Sequence, residues 1–190
     1  MAHKGTTRRN FLASTAAIGA AGFVGTWPTL VTAEMGKVLR LRIDGDNNIL
    51  DPAYMVGGTE VEAQKQCLPF LAEYVRDGDT FTWQPTYYVT RLEQVDPTHI
   101  EFELAKGFEW SNGYGPLMAS DVKFSYERMK DGDWAGYFDA MDSVEVTGDR
   151  TGTIILKTAF SPFFMVTLCH GPGAIVSEKA VTEAGGKFTI

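Results

Sequence analysis

Cysteine and histidine are scarce in this chain of 190 residues: two cysteines, Cys67 and Cys169, and three histidines. No pair of them has metal-ligand spacing, and the lone Cys169-His170 adjacency reads as packing rather than as a metal site. The nucleophile elbow, the P-loop and the dinucleotide fingerprint are all missing. Acidic residues are plentiful but scattered, so no carboxylate pair is marked out for acid–base work. Internal repeats and low-complexity tracts are absent too. These absences favour a binder over an enzyme, with no catalytic residue, metal or cofactor assigned.

Positive charge is also thin, and three of the 17 basic residues fall near the start, at Lys4, Arg8 and Arg9. No acidic residue precedes Glu34. A small-residue apolar run follows, Phe11-Leu12-Ala13 and then Ala16 to Val24, and Val31-Thr32-Ala33 supplies small residues where a signal peptidase reads. Residues 1–33 are therefore read as a cleavable signal peptide cut after Ala33. The run is too short and too rich in Gly and Ala for a good membrane span, which needs about 20 mostly apolar residues. Thr7-Arg8-Arg9-Asn10-Phe11-Leu12 resembles the twin-arginine export motif, an address rather than an anchor. A chance Arg-Arg pair in an ordinary secretory signal is the alternative; Phe11, Leu12 and the modest hydrophobicity weigh against it.

Cleavage leaves 14 basic against 24 acidic residues, a formal charge of −10. That excludes an obvious nucleic-acid or anionic-membrane partner, since both attract basic surfaces. Hydrophobic content of 44% with 12% aromatics suffices for a packed core. An oxidising destination permits a disulfide, but Cys67 falls in line with Leu68, Leu71, Tyr74 and Val75 on what reads as an apolar helix face. Two unpaired structural thiols are expected, with Cys67 buried.

Val38 to Ile43 alternates apolar and charged residues as a half-buried strand does, and ends in the turn cluster Asp44-Gly45-Asp46-Asn47-Asn48. From Thr59, a plausible cap, the pattern predicts a helix to about Val75, favoured at its start by Glu60 and Glu62. Strands are expected at Thr80–Trp83, Tyr87–Val95 and Ile100–Leu104, as antiparallel hairpins with one face to the core. Ser120 with Asp121 is expected to cap a helix running through Met129. Val144–Val146 and Thr153–Lys157 predict another hairpin, Phe160–Leu168 a short aromatic-rich helix, and Val176–Ala184 a last short helix.

Three segments carry more than local structure: Leu41 through Pro52, Glu101 through Asn112, and Pro116 through Tyr126. In this order and spacing the chain resembles the family 5 extracellular solute-binding proteins, the peptide- and nickel-binding receptors of ABC importers. The family wording runs close to F-x-L-R-x-G-x-x-W-x-D-G-x-P-x-T-A-x-D-V. Phe102, Leu104, Lys106, Gly107, Trp110, Gly113, Pro116, Ala119, Asp121 and Val122 match it exactly or conservatively. Asn112 stands in for the usual Asp, Met118 for the usual Thr, and Tyr114-Gly115 adds one residue to the turn. Physically the motif reads as a folding signature: Gly107 and Gly113 permit tight turns, and Phe108 and Trp110 fill core.

The resemblance implies a mixed α/β fold, the N-terminal part of a two-lobed periplasmic-binding-protein type II architecture. It implies residues 34–75 as the start of lobe I and 76–190 as a small subdomain inserted in it, with the hinge and lobe II expected beyond Ile190. A fragment of that kind should bind ligand weakly, because closure needs two lobes. The family's ligand lies between lobes, against the loop after the first strand, here Leu50 to Thr59. Backbone N–H groups at Gly57-Gly58 can receive a carboxylate or main chain, Tyr54 and Met55 can pack on side chains, and Val56 and Thr59 complete the stretch; equally, the two glycines can simply make the turn. The implied role is an extracytoplasmic, periplasmic receptor for peptides or a similar solute, with ABC permease subunits and the twin-arginine translocase as partners. Two rivals remain open: a secreted cofactor-containing enzyme, and a small self-contained interaction domain.

Overall fold

The computed structural model describes residues 42, 45–54 and 57–188. The signal segment with Arg8, Arg9 and Ala33, the opening strand apart from Arg42, and the Met55-Val56 pair lie outside them. The chain divides into Met1–Arg42 and Ile43–Ile190; the architecture that follows is that of the second unit.

Its centre is a four-stranded antiparallel sheet in the order β3-β4-β8-β7, formed by β3 (Val89–Asp96), β4 (His99–Leu104), β8 (Thr151–Leu156) and β7 (Met141–Val146). Strict alternation in the two central strands makes one face dry: Ile100, Phe102 and Leu104 on β4, with Ile154 and Leu156 on β8, are buried, while their neighbours are only partly covered. Val122, Tyr126 and Met129, from the helix α2 (Ala119–Glu127) and the 3₁₀ turn after it, join the same core. Each such buried side chain contributes on the order of 1.5–3 kcal/mol. Gly152 belongs to that pattern as a necessary gap: a Cβ there would stand 2.5 Å from the Phe102 ring and 2.7 Å from the Glu145 carbonyl. The Phe102 ring fills the space a side chain would need.

Two smaller ribbons flank the sheet. β1 (Ala72–Asp77) pairs with β2 (Thr80–Pro85), and β5 (Glu109–Trp110) with β6 (Gly115–Pro116). The first ribbon is pinned by Trp83, stacked on Phe164 at 4.1 Å, and by the Tyr74 hydroxyl donating to the Met165 carbonyl at 2.6 Å. Asn112, in the turn between β5 and β6, adopts the left-handed conformation, φ 58°, which Asn tolerates better than most residues. Phe108 and Trp110 pack against the core without being swallowed by it. The segment after Phe160 forms a single wide turn at Phe164–Leu168, and α3 spans Glu178–Glu183, capped by Ser177, whose hydroxyl accepts from the Ala180 N–H.

Two expectations are corrected. The helix predicted from Thr59 to Val75 is short: α1 spans Gly58–Cys67, with Gly57 rather than Thr59 at its N-cap. Pro69 is the reason. It has no N–H to donate, and its ring pushes Leu68 out of the helical region, to φ −114° and ψ 147°. The aromatic and β-branched Tyr74-Val75 then enter a strand. With the helix cut, its supposed apolar face disappears, and Cys67 is exposed, not buried. Both cysteines are free, and Cys169 is the buried one. Burial pushes the Cys169 thiol up to about 12, so it stays protonated and unreactive.

The start of α2 also differs from expectation. Its N-cap is Met118, whose thioether is only a weak acceptor, and Ser120 lies inside the helix. Asp121 reaches back instead, accepting from the Met118 N–H at 3.0 Å, the reciprocal half of a capping box. Met118 stands where the family wording has Thr. Met118→Thr should therefore restore the forward half and raise stability by about 1 kcal/mol; an unchanged or lowered urea midpoint would refute that account.

Candidate ligand-binding site

The end of the loop from Gly45 to Tyr54 is held by one buried carboxylate. Asp51, fully buried, accepts from the Ala53 N–H at 3.0 Å, from Arg128 Nη1 at 2.7 Å and Nη2 at 2.9 Å, and from the Phe188 N–H at 3.0 Å. The guanidinium meets it in the bidentate geometry that gives Arg its advantage over Lys. Arg128 also donates to the Gly186 carbonyl at 3.0 Å. Beside this hub, Ala53 is fully buried, and its carbonyl accepts from Asp133 N–H at 2.8 Å. Gly132 makes that approach possible, since a Cβ there would fall 2.5 Å from the Ala53 oxygen.

Tyr54 follows directly. Lys187 Nζ stands 4.3 Å from its ring centroid, and the Arg128 guanidinium lies 5.8 Å from the same ring and 5.5 Å from Phe124. The half-buried ring is thus bracketed by two cations, an attraction to the π face. Gly57 and Gly58 stand at the mouth of α1 as expected, and Thr59 is its second residue. Met55 and Val56 lie outside the described residues.

Glu60, one turn into α1, is buried. Its carboxylate accepts from the Asn48 N–H at 3.2 Å and lies 3.1 Å from where a Cβ on Gly57 would be. Gln64, the next residue on that face, donates to the Leu50 carbonyl at 3.3 Å. A negative charge therefore already sits at the positive end of α1, where it is stabilised by the helix dipole. Asp51, Arg128, Phe124, Glu60 and Lys187 were not singled out for the site from sequence. Asp51 belongs to the Leu-Asp-Pro-Ala segment, but no local signal links it to an arginine 77 positions away.

The motif residues surround a different hub. Asp121, almost fully buried, accepts from Trp110 Nε1, from the Met118 N–H and from the Glu178 N–H, each at 3.0 Å. Ser125 and Tyr126 extend this side of α2. The Ser125 hydroxyl accepts from the Val176 N–H at 2.9 Å, and the Tyr126 hydroxyl donates to the Gly173 carbonyl at 3.2 Å. The motif thus joins a turn, a helix start and the segment before α3. Its residues are spent on one another, as a folding signature requires.

A sequence model of the bacterial extracellular solute-binding proteins, family 5, middle region, matches residues 85–189, more than half of the chain. The chain belongs to that family. A comparison with curated protein sequences finds no match. Among solved structures, family 5 architecture recurs. Listeria monocytogenes OppA bound to peptide superposes with a TM-score of 0.64 at 19% identity, over 74% of this chain and 31% of that one. MoaA of A. tumefaciens R10, in complex with mannopinic acid, gives 0.63 at 21% over 74% and 29%. The Escherichia coli murein tripeptide binding protein MppA gives 0.61 at 20% over 74% and 30%. These likenesses establish a mixed α/β, periplasmic-binding-protein type II fold. The chain spans about 30% of the length of these family 5 structures. Among the described residues no helix is long and apolar enough to cross a membrane.

Proposed function

We propose that this protein is the solute-capturing receptor of an ABC importer, acting outside the cytoplasm. The observation that carries the reading is the family 5 match across residues 85–189, in a chain whose conspicuous polar clusters are structural. Peptides are the default solute, because OppA is seen with peptide and MppA is a murein tripeptide binder. A small carboxylated solute is the variant, on the strength of MoaA and mannopinic acid. Membrane permease subunits take the loaded receptor; no bond is made or broken on it, and ATP is spent elsewhere. The segments are read as a signal at 1–33, the start of lobe I at 34–75 and an inserted subdomain at 76–190.

The ligand-facing stretch is Tyr54-Met55-Val56-Gly57-Gly58-Thr59. What supports this at Tyr54 is its setting: Asp51 anchors the residues just before it, and a binding group on a fixed element keeps its geometry. With Glu60 already at the mouth of α1, the stretch is better suited to a ligand's main-chain N–H groups or side chains than to a second carboxylate. The test is calorimetric titration of the natively produced protein with peptides of roughly two to five residues and with mannopinic acid. Loss of one good contact is worth about tenfold in affinity, so Tyr54→Ala should weaken binding by roughly that factor, with a small drop in melting temperature from the lost contacts to Arg128 and Lys187. A cofactor absorbance, or turnover of a titrated solute, would replace this reading with that of an exported enzyme.

Export is proposed to use the twin-arginine translocase through Arg8 and Arg9, with cleavage after Ala33. Lysine at both positions keeps the charge but not the recognised pair. That variant should accumulate uncleaved in the cytoplasm on fractionation; normal export would sink the twin-arginine assignment and leave an ordinary secretory signal.

A further inference from the structure

Strand β7 forms one edge of the central sheet and, among the described residues, pairs only with β8. Such an edge offers a row of open backbone groups to any other strand. Here three side chains of one helical stretch already occupy them. Glu127 Oε1 accepts from the Val144 N–H at 3.1 Å, Lys123 Nζ donates to the Val144 carbonyl at 2.8 Å, and Lys130 Nζ donates to the Asp142 carbonyl at 2.6 Å. Lys123 and Glu127 also join each other at 2.7 Å across one turn of α2. These side chains meet the outward-facing N–H and carbonyl of Val144 and the Asp142 carbonyl one for one.

We infer that Lys123, Glu127 and Lys130 form a latch that withholds the β7 edge from pairing with β7 of a second copy of this chain. The partner follows from the edge's own symmetry. The N–H and carbonyl of Val144 both point outward, so an antiparallel copy related by a twofold axis at Val144 exchanges two reciprocal hydrogen bonds with it. That register sets Ser143 opposite Glu145 and Asp142 opposite Val146, so no like charges face each other. Val146, 43% exposed, adds apolar surface beside the seam. Burial pushes the Glu127 carboxyl up, but the Lys123 and Val144 hydrogen bonds and the Lys130 charge outweigh it and hold the group below its usual range. The latch therefore stays ionised at neutral pH.

The test is light scattering after size exclusion of the full chain and of its Lys123→Ala/Glu127→Ala/Lys130→Ala variant. The variant should keep its far-ultraviolet circular dichroism and associate at least tenfold more tightly than the parent, as a dimer. Adding Val146→Pro removes an outward N–H without breaking the β7–β8 ladder, and should return it to the parent's state. A folded triple variant that associates no more than the parent, or whose association survives Val146→Pro, overturns the proposal. Should the triple variant fail to fold, Lys123→Met/Glu127→Met/Lys130→Met keeps the packed stems and decides on the same readout: tighter association supports the latch, and unchanged mass refutes it. Hydrogen exchange gives a second check, because the Val144 amide must be protected in the parent.

Discussion

Alanine at Arg128 should destabilise the folded unit by about 3–5 kcal/mol, the usual result of stripping a buried charge of its partner. The size follows from the geometry around Asp51. Its carboxylate is fully buried and relies on Arg128 for two of its four donors, and the variant leaves that charge facing only the Ala53 and Phe188 N–H groups. Asp51→Ala should cost a similar amount, and the double variant much less than the sum of the two, since each removes the same interaction. Arg128→Lys keeps the charge but not the fork and should fall between. Urea unfolding of the full chain reads all four. A loss below about 1 kcal/mol for Arg128→Ala would put the pair among ordinary surface salt bridges.

The second large effect is expected at Asp121. Alanine there leaves the Trp110 indole, the Met118 N–H and the Glu178 N–H without their acceptor. Unsatisfied buried donors cost on the order of 1–3 kcal/mol each, and partial access to water should bring the total to about 3–4 kcal/mol. Asp121→Asn is more informative. Its amide keeps one acceptor but turns a donor toward other donors, so a loss of about 2 kcal/mol is expected, with a change in Trp110 fluorescence. An Asp121→Ala variant as stable as the parent would show that the motif serves something other than folding.

Both effects concern carboxylates whose importance sequence disclosed unequally. Asp121 lies in a long ordered motif, so its weight was visible, although its role was read as a simple cap. Its third donor, the Glu178 N–H, comes from 57 residues away, beyond any local pattern. The central strands were legible because one face is dry, and period-2 alternation in Ile100–Leu104 records that directly. The hairpin of β7 and β8 was legible from its β-branched run Thr153–Ile155 rather than from alternation, since β7 is buried only at Met141 and Val144. Beyond Cys67, periodicity misled: Leu68, Leu71, Tyr74 and Val75 fit a helical face, yet Pro69 forbids the helix. The partners of Asp51 were not legible at all, since an ion pair across 77 residues and a backbone hydrogen bond across 137 leave no periodic trace. Tyr54, Met55, Val56, Gly57, Gly58 and Thr59 were named on family resemblance, with the helix N-terminus at Gly57-Gly58 as the one local cue.

The separations around Asp51 also set an order of events in time. Contacts so distant along the chain pay loop-closure entropy before they repay it, and form late. While a ribosome is still extending the chain, the β3–β4 hairpin can close as soon as it emerges. Asp51 must wait, first for Arg128 and finally for Phe188. The loop carrying Tyr54 is thus among the last parts of this unit to acquire its shape. Closure of the Asp51 hub is therefore a late marker of folding for this unit.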